Sequence, residues 1–198
     1  MVADKKDKKV NVMADNKGKK VDVIAEKKDK KLNKMKEVKI EKLTLNIGAG
    51  EAGEKLEKAY SLLKILTGKT PIKIVTRKRI PKWNVRPGIA IGTKVTLRRE
   101  YGELLKRLLL SREYTLKKSC FDNYGNVSFG VDEYVHIPGV KYDPKMPMFG
   151  LNVTITLKRA GYRIKDKRLK ASKIPKNHRI NQTEAIEFVK NKYGVKIV

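Results

Sequence analysis

The chain has 198 residues and a formal net charge of +27, with 48 lysine and arginine residues against 21 acidic ones. This length fits one domain, or one domain with a tail. No apolar run is long enough to cross a membrane, and the N-terminus lacks the apolar core of a secretory signal. These absences predict a cytoplasmic protein.

The charge favours a polyanionic partner, because a protein this basic otherwise repels itself. Nucleic acid is favoured over an anionic membrane, since no basic amphipathic helix with large apolar residues is visible. The single cysteine, Cys120, has no partner for a disulfide within the chain, and two distant histidines do not resemble a zinc site. We therefore expect no metal, no cofactor and no membrane partner.

The first 36 residues repeat with a period of eleven, as VADKKDKKVNV, MADNKGKKVDV and IAEKKDKKLNK. An eleven-residue period can specify a right-handed coiled coil, but each unit has too few large apolar residues to bury a seam. We predict that residues 1–36 form a basic arm, disordered or ordered by RNA. A solvated tail without a partner is the alternative. Residues 37–198 are predicted to form one domain.

Strands and helices alternate irregularly along that domain. VKIEKLTLNIG is typical of a strand, and the parity change between Ile40 and Leu43 indicates a bulge near Glu41. The helix that follows, EKLEKAYSLLKILT, ends at Gly68. Its predicted inner face is Leu56, Ala59, Tyr60, Leu63 and Leu66.

Further strands are predicted at PIKIVT, IAIGTKVTLR, NVSFGV and LNVTITLK. A second helix covers EYGELLKRLLLS, with Tyr101, Leu104, Leu105 and Leu108 inward. The last helix follows Asn181, which can cap it, with Glu184 three residues later and Gly194 at its end. The predicted fold is α+β, with helices on one face of a mostly antiparallel sheet and the other face open.

Two strands predict what the open face carries. Because side chains alternate along a strand, Leu43, Leu45 and Ile47 face the core, as do Val95 and Leu97. The opposite sides carry cations with short hydrogen-bonding residues between them and no carboxylate. Such a surface suits phosphates, 2′-hydroxyls and base edges of folded RNA, whereas an ordinary solvated face is the alternative. The residues are Lys42, Thr44, Asn46, Lys94, Thr96 and Arg98.

Two further segments are strongly basic. RKRIPKWNVRPGIAIG lies between the second and third strands and is longer than a hairpin turn requires. RAGYRIKDKRLKASKIPKNHRI, which begins at Arg159, is interpreted as an extended RNA-contacting arm, with a flexible linker as the alternative. Its candidate contacts are Arg163, Lys165, Lys167, Arg168, Lys173, Lys176 and Arg179.

Enzymatic interpretations are weaker. GAGEAG, residues 48–53, matches a dinucleotide-binding pattern, but its strand is polar on one side and the expected acidic residue about twenty positions on is absent. We expect a glycine-rich turn there, with a nucleotide-binding enzyme as the alternative. His136, flanked by Asp132, Glu133 and Asp143, matches no catalytic arrangement and is interpreted as structural. No catalytic residue is predicted.

The order of these pieces resembles the ribosomal protein L5 family, which binds 5S ribosomal RNA. The resemblance runs from about residue 36 to the C-terminus, and its closing segment is similar to the archaeal and eukaryotic branch. The matching pieces are IEKLTLNIGAGE, LTGKTP, IAIGTKVTLR, GNVSFGV, VKYDP, GLNVTITLKRAGYRI and IPKNHRINQTEAIEFVKNKYG.

The resemblance implies a structural, non-enzymatic ribosomal protein whose open sheet face holds 5S ribosomal RNA in the central protuberance of the large subunit. Family members use residues matching Asn46, Thr96 and Arg98 against that RNA. Lys69 stands where bacterial members often have glutamine, and it is expected to contact a phosphate. Large-subunit ribosomal RNA, neighbouring large-subunit proteins and the small-subunit head, through an intersubunit bridge, are further expected partners.

The resemblance also implies that the loop of residues 77–89 reaches the transfer RNA in the peptidyl site. Pro81 and Pro87 restrict its backbone, which lowers the ordering cost. Trp83 has two open roles, stacking on a base or sugar, or pinning the loop to its own domain. The predicted contacts are Lys78, Arg79, Lys82, Trp83 and Arg86.

Overall fold

The computed structural model describes residues 33–50, 53–81 and 85–198. It forms two units that meet in sequence between Glu37 and Val38. Of the first unit, residues 33–37 are described, and Lys34–Lys36 form one turn of 3-10 helix. The eleven-residue repeats lie outside the described residues, so the basic arm stays a prediction.

The second unit is built from strands and α-helices joined by short 3-10 turns. In chain order they are β1 (Val38–Gly48), α1 (Glu54–Thr67), β2 (Ile72–Val75), β3 (Ala90–Leu97), α2 (Gly102–Leu110), β4 (Thr115–Leu116), β5 (Val127–Val131), β6 (Leu151–Arg159), α3 (Gln182–Tyr193) and β7 (Lys196–Ile197). Every strand and helix predicted from the sequence is present. The short pair β4 and β7 was not predicted.

One open sheet organises the unit. Its five strands run in the order β2-β3-β1-β6-β5, and each neighbouring pair is antiparallel. The two short strands β4 and β7 pair in parallel and bring the C-terminus against the chain just after α2. The predicted α+β class with an open, mostly antiparallel sheet is confirmed.

The bulge predicted near Glu41 is present. The pairing of β1 with β6 shifts between Ile40 and Lys42, so one extra residue enters β1. That residue resets the alternation, and Ile40 and Leu43 can both be buried although they are three positions apart. The bulge thus reconciles two apolar series of opposite parity in one strand.

The helices cover one face of the sheet. Leu43, Leu45 and Ile47 are fully buried in a single core with the apolar faces of all three helices. On α1 the buried set includes Leu62, which the sequence analysis missed, whereas Tyr60 is only partly buried. On α2 the predicted leucines are buried together with Leu109, and Tyr101 lies partly exposed at the helix start.

The last helix begins and ends as predicted. The Asn181 side chain and the Glu184 side chain form a reciprocal capping box, and Gly194 adopts the left-handed conformation that ends the helix. Burial, with a smaller contribution from Tyr101, raises the pKa of the Tyr193 phenol. The phenol therefore stays neutral at physiological pH.

Candidate RNA-binding surface

The face of the sheet opposite the helices is polar, and its residues line up in rows across the strands. Asn46 lies opposite Lys94 on one side and Asn152 on the other. Lys42 lies opposite Thr156, two rows away from Asn46 on the other side of the row that contains Thr44. We call this surface the open face: Lys42, Thr44, Asn46, Lys94, Thr96, Arg98, Ser128, Asn152, Thr154 and Thr156.

A row of hydroxyls crosses the open face. Thr44 lies between Thr96 on β3 and Thr154 on β6, and Ser128 on β5 lies opposite Thr154. The Ser128 and Thr154 hydroxyl oxygens are 2.9 Å apart and hydrogen-bonded. Hydroxyls donate and accept, so this row can pair with either the acceptors or the donors of a nucleic acid.

Cations flank that row. Lys94 and Arg98 are exposed, while Lys42 and Thr96 are partly buried. None of the residues of the open face is acidic, so no carboxylate within this surface offsets its positive charge.

The strands β5 and β6 contribute the residues of the open face that the sequence analysis did not single out: Ser128, Asn152, Thr154 and Thr156. For β6 the signal was available, because the alternation in LNVTITLK separates the three polar residues from buried Leu151, Val153, Ile155 and Leu157. The open face is therefore wider than the two strands first used to predict it.

Asn46 is the most unusual residue of the open face. Its side-chain oxygen is inaccessible to solvent and has no hydrogen-bond partner among the described residues. Unsatisfied buried polar groups are rare in native proteins, and each one calls for an explanation such as a functional role. Burying this oxygen without a hydrogen bond destabilises the fold, so Asn46 is not explained by a role in stability.

The edge of the sheet beside β2 differs in character. Ile72 lies opposite Lys94 and is 63% exposed, so an apolar side chain borders the cationic row. Lys69, in the turn before β2, is exposed, and its ammonium lies 3.6 Å from the Glu100 carboxylate. Lys69, which is predicted to contact a phosphate, therefore has an acidic neighbour, whereas the residues of the open face include no carboxylate.

The loop between β2 and β3 is closed at its base by Thr76. Its N–H donates to the Ile89 carbonyl at 2.9 Å, and its carbonyl accepts from the Gly88 N–H at 2.9 Å. The Thr76 hydroxyl also donates to the Ile89 carbonyl at 2.7 Å. These bonds hold the two ends of the loop next to each other.

Further out, Ile80 and Val85 form an isolated antiparallel bridge. Val85 is 4% exposed, yet it does not belong to the main core of the domain. Lys78, Arg79 and Arg86 are exposed. Lys82 and Trp83 lie outside the described residues, so both roles for Trp83 stay predictions.

The basic segment after β6 is not an extended arm. Tyr162 closes its base, because the Tyr162 hydroxyl accepts from the Ile180 N–H at 3.0 Å and donates to the His178 carbonyl at 3.2 Å. The His178 ring bonds the Ala160 carbonyl at 2.8 Å, which ties both ends of the segment together. We call residues 160–180 the basic loop. The closure of this loop could not be predicted, because it depends on single side chains with no periodic signal.

Most candidate cations of the basic loop are exposed: Arg163, Lys165, Lys167, Arg168, Lys173 and Lys176. Arg179 is partly buried, and its guanidinium donates to the Ile174 carbonyl at 3.1 Å. Arg159, the first residue of the predicted basic segment, is only 8% exposed and pairs with the Glu184 carboxylate at 2.8 Å. Arg159 is therefore a structural residue of the domain interior.

The alternative nucleotide site lacks the required geometry. The Ala49 and Gly50 N–H groups both donate to the Ile91 carbonyl, at 2.9 and 3.2 Å, so they are not free to hold a phosphate. β1 also lies in an antiparallel sheet, not in the parallel sheet of a dinucleotide-binding fold.

His136 is exposed and lies 4.0 Å from Glu133, whereas Asp132 pairs with Arg112 at 3.1 Å. Its interpretation as a structural histidine is not supported, because it is a surface residue. Within the described ranges, no group of His, Cys, Asp and Glu side chains could hold a metal ion. Nor does any helix in the described part of the chain reach the length and apolar character of a membrane span.

Comparison with known proteins gives a consistent result. The model of the family "Ribosomal protein L5" matches residues 33–86, and the model of that family's C-terminal region matches residues 90–188. This chain belongs to the ribosomal protein L5 family. Membership makes it a structural, non-enzymatic protein of the large ribosomal subunit, so the nucleotide-dependent enzyme considered above is excluded.

Relatives cover most of the chain. The large ribosomal subunit protein uL5 of Sulfolobus acidocaldarius is 49% identical over 158 residues, which are 79% of this chain and 89% of that protein. The uL5 protein of Nanoarchaeum equitans is 47% identical over 159 residues, 79% of this chain and 94% of that protein. The uL5 protein of Methanosphaera stadtmanae is 41% identical, with 79% of this chain and 94% of that protein covered.

Proposed function

We propose that this member of the L5 family binds 5S ribosomal RNA in the central protuberance through its open face, and contacts the transfer RNA in the peptidyl site through residues 77–89. The open face carries the first half of the proposal. It combines cations, a row of hydroxyls and Asn46, whose amide oxygen is buried and has no hydrogen-bond partner among the described residues, with no carboxylate among its residues. Resemblance to the family supplies the identity of the RNA.

The arrangement of Asn46, Thr96 and Arg98 supports a role in specific recognition. Asn46 and Thr96 occupy neighbouring rows on adjacent strands, and Arg98 directly follows β3, two residues after Thr96. An amide and a hydroxyl can read donor and acceptor groups, whereas a guanidinium binds phosphates. Lys42, Thr44, Lys94 and Lys69 extend the same surface.

The attachment and the exposed cations of the 77–89 loop support the second half. Its base is fixed at Thr76, and its exposed cations, Lys78, Arg79 and Arg86, stand beyond that base. Contacts to phosphates do not depend on sequence, and a peptidyl-site contact has to accept every transfer RNA. Lys82 and Trp83 belong to the same proposed contact.

The basic loop is proposed to add contacts to ribosomal RNA through its exposed lysines and arginines, and through Arg179. Large-subunit ribosomal RNA, neighbouring large-subunit proteins and the small-subunit head are proposed as further neighbours, without assigned residues. A cytoplasmic location follows from the same proposal.

Replacing Asn46, Thr96 and Arg98 together with alanine tests the 5S contact. We expect the affinity for a 5S ribosomal RNA transcript to fall at least about tenfold at fixed salt, because an amide, a hydroxyl and a charge are removed from one surface. Filter binding or a gel shift measures the change.

A matched control replaces exposed residues of α3, on the helical side of the sheet, as N191A, T183A and K190A. Its affinity should stay within about twofold. If the open-face triple variant also kept its affinity within twofold, the assignment of this surface to 5S ribosomal RNA would be wrong.

A further inference from the structure

A cavity of about 410 Å³ lies where the basic loop meets the sheet. Thr156 and Leu157 of β6 and Asn126, just before β5, belong to its sheet side, and Tyr162 and Ile174 belong to the basic loop. Small-ligand sites in proteins span about 300–1,000 Å³, so this volume admits one nucleotide. Thr156 also belongs to the open face, and the cavity is therefore continuous with it.

The cavity is cationic. Lys165, Lys173 and Arg179 all line it, and no carboxylate is among its lining residues. Among the described residues, none of these three cations forms a salt bridge; Lys165 instead lies over the Tyr162 ring, with its ammonium 5.7 Å from the ring centre. Three cations without a counter-charge around one small space favour an anionic ligand such as a phosphate.

Two tyrosines line the cavity, and they differ in their freedom. The Tyr162 hydroxyl is held by two hydrogen bonds, and its ring contacts His178 edge to face with the centres 5.7 Å apart. Tyr124 is 63% exposed, and in the described part of the chain no hydrogen bond or ring contact engages its side chain. Tyr162 is a wall of the cavity, whereas Tyr124 offers an open aromatic face.

Polar groups at the sheet side can orient a ligand. The Asn126 amide donates to the Asp122 carboxylate at 3.3 Å, which fixes its plane while leaving its oxygen able to accept. Thr156 adds a hydroxyl. The aromatic ring can stack on the face of a base, and the nearby donors and acceptors can bond the edge of that base. The cations can bind the phosphate, so the cavity suits a nucleotide.

We infer that this cavity binds one unpaired nucleotide of an RNA, with its base stacked on Tyr124 and its phosphate held by Lys165, Lys173 and Arg179. The inference rests on the proposed function for the identity of the RNA, since the cavity continues the open face. The cavity would hold one nucleotide, whereas the open face would contact the surface of a folded RNA. The bound nucleotide is extruded from its helix, so a bulge or loop supplies it.

The variants Y124A and Y124F test the site. Tyr124 is largely exposed, so neither change should alter the melting temperature by more than a few degrees. Removing an aromatic that stacks on a base weakens RNA binding about fivefold or more, and phenylalanine keeps the stacking surface. We expect Y124A to lose at least about fivefold in affinity for the 5S transcript, while Y124F stays within about twofold of the parent.

A second variant pair separates the phosphate contact from general charge. K173Q removes one cation from the rim, and K106Q removes one from the exposed side of α2. K173Q should weaken binding and make the logarithmic salt slope shallower by about 0.7 to 0.9, whereas K106Q should leave the slope unchanged. Equal effects of the two substitutions would contradict the site.

Titration with adenosine and uridine monophosphates separates this inference from the proposed function. In the full chain, saturable shifts of the Asn126 amide and Tyr124 ring signals by nuclear magnetic resonance support the site without 5S RNA, provided that the Asn126 shift is lost in Y124A and kept in Y124F. If the transcript binds normally while Y124A matches the parent and neither nucleotide shifts these signals, the site is wrong and the proposed function stands. If the nucleotides bind in the cavity but the transcript does not bind the protein, the nucleotide site stands and the proposed function is wrong.

Discussion

Arg159 shows how one residue can be misjudged from its neighbours in sequence. It is followed by a strongly basic segment, but along β6 the residues Val153, Ile155 and Leu157 are buried, and Arg159 is next in the same alternation. The signal that it lies inward was therefore present. A buried arginine needs partners, and Glu184 and the carbonyls of the basic loop provide them.

R159A is expected to destabilise the domain by about 2–3 kcal/mol. The substitution removes the Arg159 donor from the His178 and Arg179 carbonyls and from the Glu184 carboxylate. The Tyr162 hydroxyl still donates to the His178 carbonyl, and the Asn181 N–H still donates to Glu184. Breaking a buried pair costs about 3–5 kcal/mol, and the partial exposure of Glu184 reduces that figure. Urea unfolding at an unchanged m-value measures the loss.

R163A is the control, because Arg163 is an exposed arginine of the same segment. Its stability should change by no more than about 0.5 kcal/mol. If both variants unfolded at the same urea concentration, Arg159 would not have the structural role that its contacts indicate.

The loop between β2 and β3 behaves as an element of its own. Its base is fixed by Thr76, and Val85 is buried but does not belong to the main core of the domain. Such a loop can vary without disturbing the sheet. Its removal therefore separates contacts made at its tip from contacts made by the open face.

Deleting residues 80–87 should leave 5S binding within about twofold and weaken the retention of transfer RNA on ribosomes. Residues 77–79 would then connect Thr76 to Gly88, which is a hairpin loop length that strands accept. Gel shifts measure the first effect, and filter retention of labelled peptidyl-site transfer RNA measures the second.

A variant that keeps the full loop but changes Lys78, Arg79 and Arg86 to glutamine separates the effect of the charges from the effect of the loop's length. Equal losses in this variant and in the deletion would assign the contact to the cations. Loss of 5S binding in the deletion would contradict the division of labour proposed for the loop and the sheet.

Elements whose burial is periodic could be predicted from the sequence. β1, its bulge and the capping of α3 followed from alternation, a parity change and the Asn181–Glu184 spacing. The basic loop could not, because it is closed by the Tyr162 hydroxyl and the His178 ring, whose partners are backbone groups about sixteen to eighteen residues away. Likewise, the cavity at Tyr124 depends on tertiary contacts and has no local pattern.

At the scale of the whole molecule, the positive charge is carried mainly by the folded domain. Residues 1–32 contain 11 lysines and 6 acidic residues, so they contribute +5 of the net +27 and leave +22 on residues 33–198. The repeats are conspicuous in sequence because they are monotonous. They are not the main source of the electrostatic attraction to RNA.

Deleting residues 1–32 should therefore preserve most of the salt dependence of 5S binding. The logarithmic slope reports the phosphates neutralised, at about −0.7 to −0.9 each, and the proposed contacts all lie outside the deleted segment. Affinities measured between about 50 and 200 mM salt determine the slope. If the slope fell to near zero after the deletion, the phosphate contacts would have to be assigned to residues 1–32 and not to the domain.

The order of strands in the sheet also governs how the chain can fold while it is being made. β1 is complete at Gly48, but its partner β6 begins only at Leu151, just over a hundred residues later. At about 5–20 residues per second, the edge of β1 that pairs with β6 waits roughly 5–20 seconds after synthesis for that neighbour. During this interval α1 and β3 are the partners already synthesised, and one edge of β1 can pair with other chains. A nascent chain of this topology is thus most prone to aggregation midway through its own translation.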